Sequence, residues 1–553
     1  MSKGSDVHDA AYKVFSRAAE RGLVMRAAED ERFTGRTITL SGQELLQFGS
    51  CSYLGLETDP RLQDGAIDAL RRYGTQFSSS RAYVSAPLYP QLEGLLGEIF
   101  GLPALVTPSS TLAHAAAIPV LVGNQDAVIL DQQVHATVQM AVNHPRAHGV
   151  PVELLRHNRL DLLESRIEAL SRQHRHVWYM VDGIYSMYGD RAPMTELKAL
   201  LERHEQLHLY VDDAHGMGWI GRHGRGFALD DGPVHPRMVV ATSFAKSFGT
   251  GGGALLVPDE AMRRQIRTIG SSFVFSGPLQ PATLGAAIAS AELHLSDELP
   301  GMQAELLERM RFCNQLCHQY GLPLVSGDLV PIRFIGTGLS SVTFEVVERL
   351  MAEGFYCNVG AFPAVPMQRA GIRFTLTRHQ SLADIARFVS AIARHLPDAL
   401  EREGSSIAAV EKAFKLAPAA PTELVRVVPE AVSLDVYPGL SLQHERTITA
   451  LPAAEWDGLL GANGSFSQDG LRLLESAYQG HAAPEHNWQF HYFVVRDAEG
   501  APVLATFFTE ALWKDDMLAS AAVSEWVEAK RATEPYYLTS KVLSMGSLLT
   551  EGE

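Results

Sequence analysis

The stretch "HVWYMVDGIYSMYGDRAPMTELKALLERHEQLHLYVDDAHG", His176 to Gly216, decides the fold. It opens on a run of β-branched and aromatic residues that ends at Gly183 and reads as a strand. A helical pattern follows over Met194 to Gln206, with Thr195 expected as its cap, and "LHLYVDDAHG" (Leu207 to Gly216) is the next strand. The unit then repeats, because "MVVATSF" (Met238 to Phe244) is a third strand. Strands alternating with helices predict an α/β protein whose mostly parallel sheet is flanked by helices. In open sheets of this kind ligands sit at the carboxyl ends of the strands. Ser186, Asp212, His215 and Lys246 should therefore project toward one crevice.

The chain has 553 residues, too many for one ordinary core. An apolar fraction of 46% with 20% charged residues suits a globular protein, and a formal charge of -16 argues against nucleic acid or an anionic membrane surface as partner. The N-terminus lacks the apolar core of a signal peptide and no window is long and apolar enough to span a membrane, so a cytoplasmic location is expected. Four scattered cysteines, Cys51, Cys313, Cys317 and Cys357, are too few for a disulfide framework. Cys313 and Cys317, four apart in a helical pattern, are expected to pack in a core rather than to hold a metal.

Lys246 stands just ahead of "GTGGG" in "ATSFAKSFGTGGGALLV". The lysine precedes the glycines instead of closing the loop, so this is neither a P-loop nor a dinucleotide fingerprint. A cofactor that stores electrons from a broken carbon bond needs a lysine to hold it as an imine, a carboxylate to keep its ring nitrogen protonated and donors for its phosphate. Asp212, ending an apolar strand, suits the carboxylate of a pair with pyridoxal 5'-phosphate, and Lys246 suits the imine.

Several further motifs, in order, carry a resemblance to the α-oxoamine synthases, fold-type-I pyridoxal-phosphate enzymes. They are "CSYLGLETDPRL" (Cys51 to Leu62), "SSRAYVSAPLYPQLEGLL" (Ser79 to Leu96), "DQQVHATV" (Asp131 to Val138), "VDGIYSMYGDRAPMTEL" (Val181 to Leu197), "VDDAHGMGWIG" (Val211 to Gly221) and "SFAKSFGTGGG" (Ser243 to Gly253). The resemblance covers roughly residues 40 to 395. It implies a decarboxylative condensation of an amino acid with an acyl thioester, on coenzyme A or a carrier protein, giving an α-amino ketone. It further implies that Lys246 binds the cofactor and moves the α-proton, that Asp212 pairs with the ring nitrogen, and that His135 covers one ring face. His215 and Ser186 are implied near the cofactor's phenolic oxygen and the incoming carbonyl. Ser110, Thr111 and Ser243 are implied at the phosphate. Arg373 is implied at the substrate carboxylate, with Ser52 and Tyr53 also lining the substrate side. A homodimer is implied, with Ser276 as a contact made in trans.

The sequence departs from the family pattern at defined places. Cys51 and Ser52 stand where an asparagine usually precedes Y-L-G-L, and Tyr89 stands where a histidine is common. "STLAH", ending at His114, replaces a G-[YF]-x-A-N turn, and Gly371 replaces the first arginine of R-x-R. Rival functions are another fold-type-I reaction, an aminotransferase or aldolase, and a non-catalytic subunit of such a synthase.

The expected domains are an N-terminal arm (1–45), a large cofactor-binding domain (46–295), a smaller α+β domain (296–398), a linker (399–429) and a C-terminal part (430–553). In that last part a helical stretch over Glu455 to Gln479 precedes two strands joined by a D-A-E-G turn. This resembles the opening of an α/β acyltransferase-like domain of the GNAT or FemAB type. A docking module or a structural appendage is the alternative.

Overall fold

The computed structural model describes residues 3–230, 234–416, 440–461, 466–481, 486–514, 521–534 and 536–546. The chain divides into two compact units, Met1–Leu424 and Val425–Glu553.

The first unit is built on a seven-stranded sheet of β1 (Ala104–Thr107), β2 (Ala127–Asp131), β3 (Val152–Leu155), β4 (Val177–Asp182), β5 (Leu207–Asp212), β6 (Met238–Ser243) and β7 (Gly253–Leu256). Their order across the sheet is β1-β7-β6-β5-β4-β2-β3. The run from β3 to β6 is parallel, and β7 alone runs against both its neighbours. Every residue of β2, β4 and β6 is buried, which explains why these strands read as continuous apolar runs rather than alternating ones. The helix after β4 spans Met194–Arg203, and its N-cap is Pro193. The expected cap, Thr195, is already the second helical residue, and the Pro193 N-cap makes no side-chain cap bond.

A second, smaller sheet pairs Ala370–Thr375 between Ile332–Gly338 and Asn358–Gly360, all antiparallel. The expected arm is largely part of this region. Strands Thr37–Leu40 and Gln43–Gln47 form a sheet with Phe355–Tyr356. Arg36 pairs with Asp384 at 3.0 Å, at the capped start of helix Leu382–Arg402. The expected linker also begins later than residue 399, because that helix runs to Arg402 and helix Ile407–Phe414 docks Val410 and Phe414 over Gly336. Residues 417–429 lie outside the described residues.

Cys313 and Cys317 are buried along helix Leu299–Gln319, as expected of core packing. Among the described residues, no helix is long and apolar enough to cross a membrane.

The second unit contains a four-stranded antiparallel sheet ordered Ser441–Glu445, Gln489–Arg496, Pro502–Lys514, Thr539–Met545. Helices Ala453–Leu460 and Gln468–Ala477 lie between its first two strands in sequence. They replace the single helical stretch read from the sequence. Trp456, Leu471, Phe490, Tyr492 and Phe507 form its core.

Candidate active site

The site assembles at the carboxyl ends of β4, β5 and β6. Asp182 and Asp212 are direct neighbours in the register of β4 and β5, so two carboxylates stand side by side. Asp212 Oδ1 accepts the Ala214 amide at 3.1 Å and Oδ2 bonds His114 Nε2 at 3.0 Å. Burial alone would raise its pKa, but His114 and Lys246 outweigh burial and hold it at about 2. Burial and the Asp212 charge instead push Asp182 well above the carboxylate range. The two neighbouring carboxylates are thus split, Asp212 being the stronger acid and Asp182 the weaker. Asp182 Oδ1 accepts the His135 amide at 2.9 Å, and His135 Nδ1 bonds Thr137 Oγ1 at 2.7 Å. His135 thus caps helix Ala136–Ala147, with its side chain exposed.

Lys246 follows β6. Burial lowers its amine below the ordinary lysine value, although Asp212 draws it partly back. Lys246 and Ser52 share a cavity of about 220 Å3 with Glu57, Gly249 and Thr250. A larger open groove, lined by Arg81, Glu93 and Arg263, is occupied by charges that already pair with one another.

His215 is buried and bonds the buried Tyr53 hydroxyl through Nδ1 at 2.7 Å. Burial, with Lys246 and Arg373 nearby, pushes His215 well below its ordinary pKa, and burial raises Tyr53 well above its own. One hydrogen joins the phenol oxygen to Nδ1, and its direction follows the imidazole tautomer. Tyr53, expected on the substrate side, spends its hydroxyl on His215.

Arg373 lies in the central strand of the small sheet. It donates to the Ser186 carbonyl at 2.7 Å, to Asn358 Oδ1 at 3.2 Å and to Cys51 Sγ at 3.7 Å. No carboxylate among the described residues pairs with this buried guanidinium. Ser186 meets it through its backbone.

At the other end, Ser109 caps helix Ser110–Leu121 by accepting the Leu112 amide at 3.2 Å, leaving Ser110 and Thr111 in the first helical turn. A Cβ on Gly253 would stand 2.7 Å from the Thr242 carbonyl and 2.9 Å from the Ser110 amide, so only glycine brings β7 this close to the helix N-terminus. Ser243, buried at the end of β6, accepts the Ala245 amide at 3.2 Å. Ser276 is half-buried beside Phe275, which is 88% exposed.

A clasp holds the motif loops together. His157 Nδ1 bonds Asp131 Oδ1 at 2.9 Å and Nε2 bonds Asp190 Oδ2 at 2.5 Å. These carboxylates belong to the segments that carry His135 and Ser186. Sequence reasoning missed His157, His114, Asp182 and Asn358. Of these, Asp182 was within reach, since it ends β4 where Asp212 ends β5.

A buried anionic carboxylate, a lysine of lowered basicity, an exposed imidazole and a helix N-terminus beside a buried serine suit a pyridinium ring, an imine and a phosphate. Comparison with known proteins agrees. A model of the family described as Aminotransferase class I and II matches residues 43–392. The 8-amino-7-oxononanoate synthase of Maricaulis maris is 32% identical over 376 residues, 67% of this chain and 92% of that protein. Its counterpart from Beijerinckia indica is 32% identical over 385 residues, 68% and 95% respectively. Sphingomonas wittichii serine palmitoyltransferase matches the structure with a TM-score of 0.64 at 23% identity, covering 73% of this chain and 99% of that one. The 8-amino-7-oxononanoate synthase structure from Francisella tularensis gives 0.55 at 20% identity, covering 63% and 97%.

The fold is accordingly that of a fold-type-I, pyridoxal-phosphate-dependent transferase. The chain belongs to the aminotransferase class I and II family and, within it, to the α-oxoamine synthases. It is a pyridoxal-phosphate enzyme, and the family match ends before its second unit.

Proposed function

We propose that the protein condenses an amino acid with an acyl thioester, on coenzyme A or a carrier protein, releasing carbon dioxide and a free thiol and leaving an α-amino ketone. The observation that carries this reading is the buried Arg373, a guanidinium without a carboxylate partner among the described residues, whose charge acts on both Lys246 and His215. It is suited to grip the carboxylate of the amino acid as a bidentate fork. When bound, the cofactor supplies an electron-withdrawing ring that stabilises negative charge at the α-carbon.

The residues divide the remaining work. Lys246, less basic than an exposed lysine, holds the cofactor and moves the α-proton. Asp212 keeps the ring nitrogen protonated, and His135 covers a ring face. Ser110, Thr111 and Ser243 take the phosphate. His215, in the tautomer that carries its proton on Nε2, is a donor for the acyl oxygen as charge develops there, and the Ser186 segment fixes Arg373. In the overall balance the carbon–carboxylate bond breaks, a carbon–carbon bond to the acyl carbon forms, and the thioester sulfur leaves with its electron pair.

Supplying amino acids with a panel of acyl thioesters tests this. We expect carbon dioxide and thiol in equal amounts, and Arg373→Lys should raise KM for the amino acid about tenfold, as loss of one charge-assisted bond predicts. Keto-acid formation without either product would identify an aminotransferase instead, and no turnover with a correctly bound cofactor would point to a non-catalytic subunit.

We further infer a homodimer in the cytoplasm. Ser80 Oγ donates to the Val274 carbonyl at 2.8 Å, which joins the segment bearing the exposed Tyr83 and Val84 to the one bearing Phe275 and Ser276. A second copy covering this apolar surface would bring Ser276 to the partner's site. In the second unit, two helices between the first two strands of an antiparallel sheet support the acyltransferase-like reading.

A further inference from the structure

Tyr210 and Asp212 are two residues apart on β5 and so face the same side of the sheet. Helix Ser110–Leu121 covers that side and sends His114 from its second turn between them. His114 is wholly buried and uses both ring nitrogens: Nδ1 meets the Tyr210 hydroxyl at 2.8 Å and Nε2 meets Asp212 Oδ2 at 3.0 Å. This is the position where the family turn ends in asparagine. A longer side chain here joins the helix to the strand-end carboxylate and brings a second strand residue into the contact.

We propose that His114 is a positioning residue which, with its tautomer set by Tyr210, fixes the Asp212 carboxylate in its ionised form and so keeps the cofactor's ring nitrogen protonated. This rests on the cofactor reading given above. Tyr210 is completely buried, and His114 is the partner of its hydroxyl. Burial and the Asp212 charge push this phenol well above its ordinary pKa, so it stays protonated and acts as the donor. The Tyr210 hydrogen then goes to Nδ1, and the imidazole proton lies on Nε2, directed to Asp212. Were the imidazole to donate from Nδ1 instead, the phenol hydrogen would be stranded in an apolar interior.

Asp212 accepts from His114 on one oxygen and from the Ala214 amide on the other, which fixes the rotation of the carboxylate. Each oxygen retains a second lone pair for a ring N–H. The other titratable groups acting on Asp212 are Lys246, His135 and the neighbouring carboxyls of Asp182 and Asp213. All four stay in place in the variants below, so they cannot produce a difference between them.

The test uses the full-length holoenzyme and three variants, His114→Leu, His114→Gln and Tyr210→Phe, with pyridoxal 5'-phosphate as the probe. Two readouts are independent of turnover: the affinity for the cofactor, and the pH midpoint of the visible absorption band of the cofactor bound through Lys246. A pyridine that is no longer protonated withdraws less charge, so the imine nitrogen becomes more basic. His114→Leu should raise the midpoint by about one unit and weaken cofactor binding about tenfold, both the size expected for loss of one hydrogen bond to a charge. His114→Gln, which can place an N–H at a similar reach, should recover most of both. Tyr210→Phe should shift the midpoint in the same direction by less, and kcat should fall more than KM changes. Wild-type midpoints and affinities in folded His114→Leu and Tyr210→Phe would overturn the proposal while leaving the cofactor reading intact. Should His114→Leu not fold, an unchanged midpoint in Tyr210→Phe, which alters the shape least, is decisive by itself. Absence of the band in the wild type would overturn the cofactor reading as well.

Discussion

His157 shows how much of this site depends on single residues that no motif advertises. Its ring bridges Asp131 and Asp190 and is largely buried. Burial disfavours its charge, but the two carboxylates outweigh that and lift its pKa to about 9. Because the folded value lies above the unfolded value of 6.5, the stabilisation is complete below about pH 6.5 and disappears as the pH rises through about 9. The shift corresponds to at most about 3 kcal/mol. We therefore expect the melting temperature to fall between these pH values in the wild type, and His157→Gln to be less stable at pH 6 and nearly flat across the same range. An identical slope in the variant would show that the clasp is not its source. The histidine escaped sequence reasoning because its partners lie 26 and 33 residues away, and neither separation matches a recognised spacing. Asn358 escaped for the same reason, as a single polar residue placed beside Arg373 only by the register of the small sheet. Lys246, Asp212 and His215 were legible because they end or closely follow patterned apolar strands, and Arg373 because its segment resembles the family motif.

At the scale of elements, β4, β5 and β6 were readable as unbroken β-branched and aromatic runs, and their boundaries agree with the sequence to within a few residues. Caps and pairing partners were not readable, since they depend on tertiary neighbours. Thr195 illustrates the first, and the strands at residues 37–47, which pair with Phe355–Tyr356 across the chain, illustrate the second. The small sheet explains one departure from the family pattern. A Cβ on Gly371 would stand 2.2 Å from Phe334 Cε1 and 2.4 Å from the Ile335 carbonyl, so the arginine usual at this position has no room. Phe334 is itself fully buried against Tyr188 and Phe414. Gly371→Ala should therefore cost about 2 kcal/mol, the scale of an overpacked core, and lower the denaturant midpoint. Because Phe334 is the cross-strand neighbour of Arg373, the same change should raise KM for the amino acid. A neutral effect on both would mean that Phe334 yields easily and that the glycine is not required.

At the scale of the molecule, the family match and the site both belong to the first unit, while the second has its own antiparallel sheet and core. In the proposed reaction the first unit carries the chemistry, and its steps centre on one lysine, Lys246. Borohydride reduction of the full-length holoenzyme, followed by digestion and mass spectrometry, tests this most directly. The prediction is a pyridoxyl group on the peptide containing Lys246, with the visible band lost on reduction and absent from Lys246→Ala. A label on a different lysine, or a band that survives in Lys246→Ala and is still reduced there, would contradict the account.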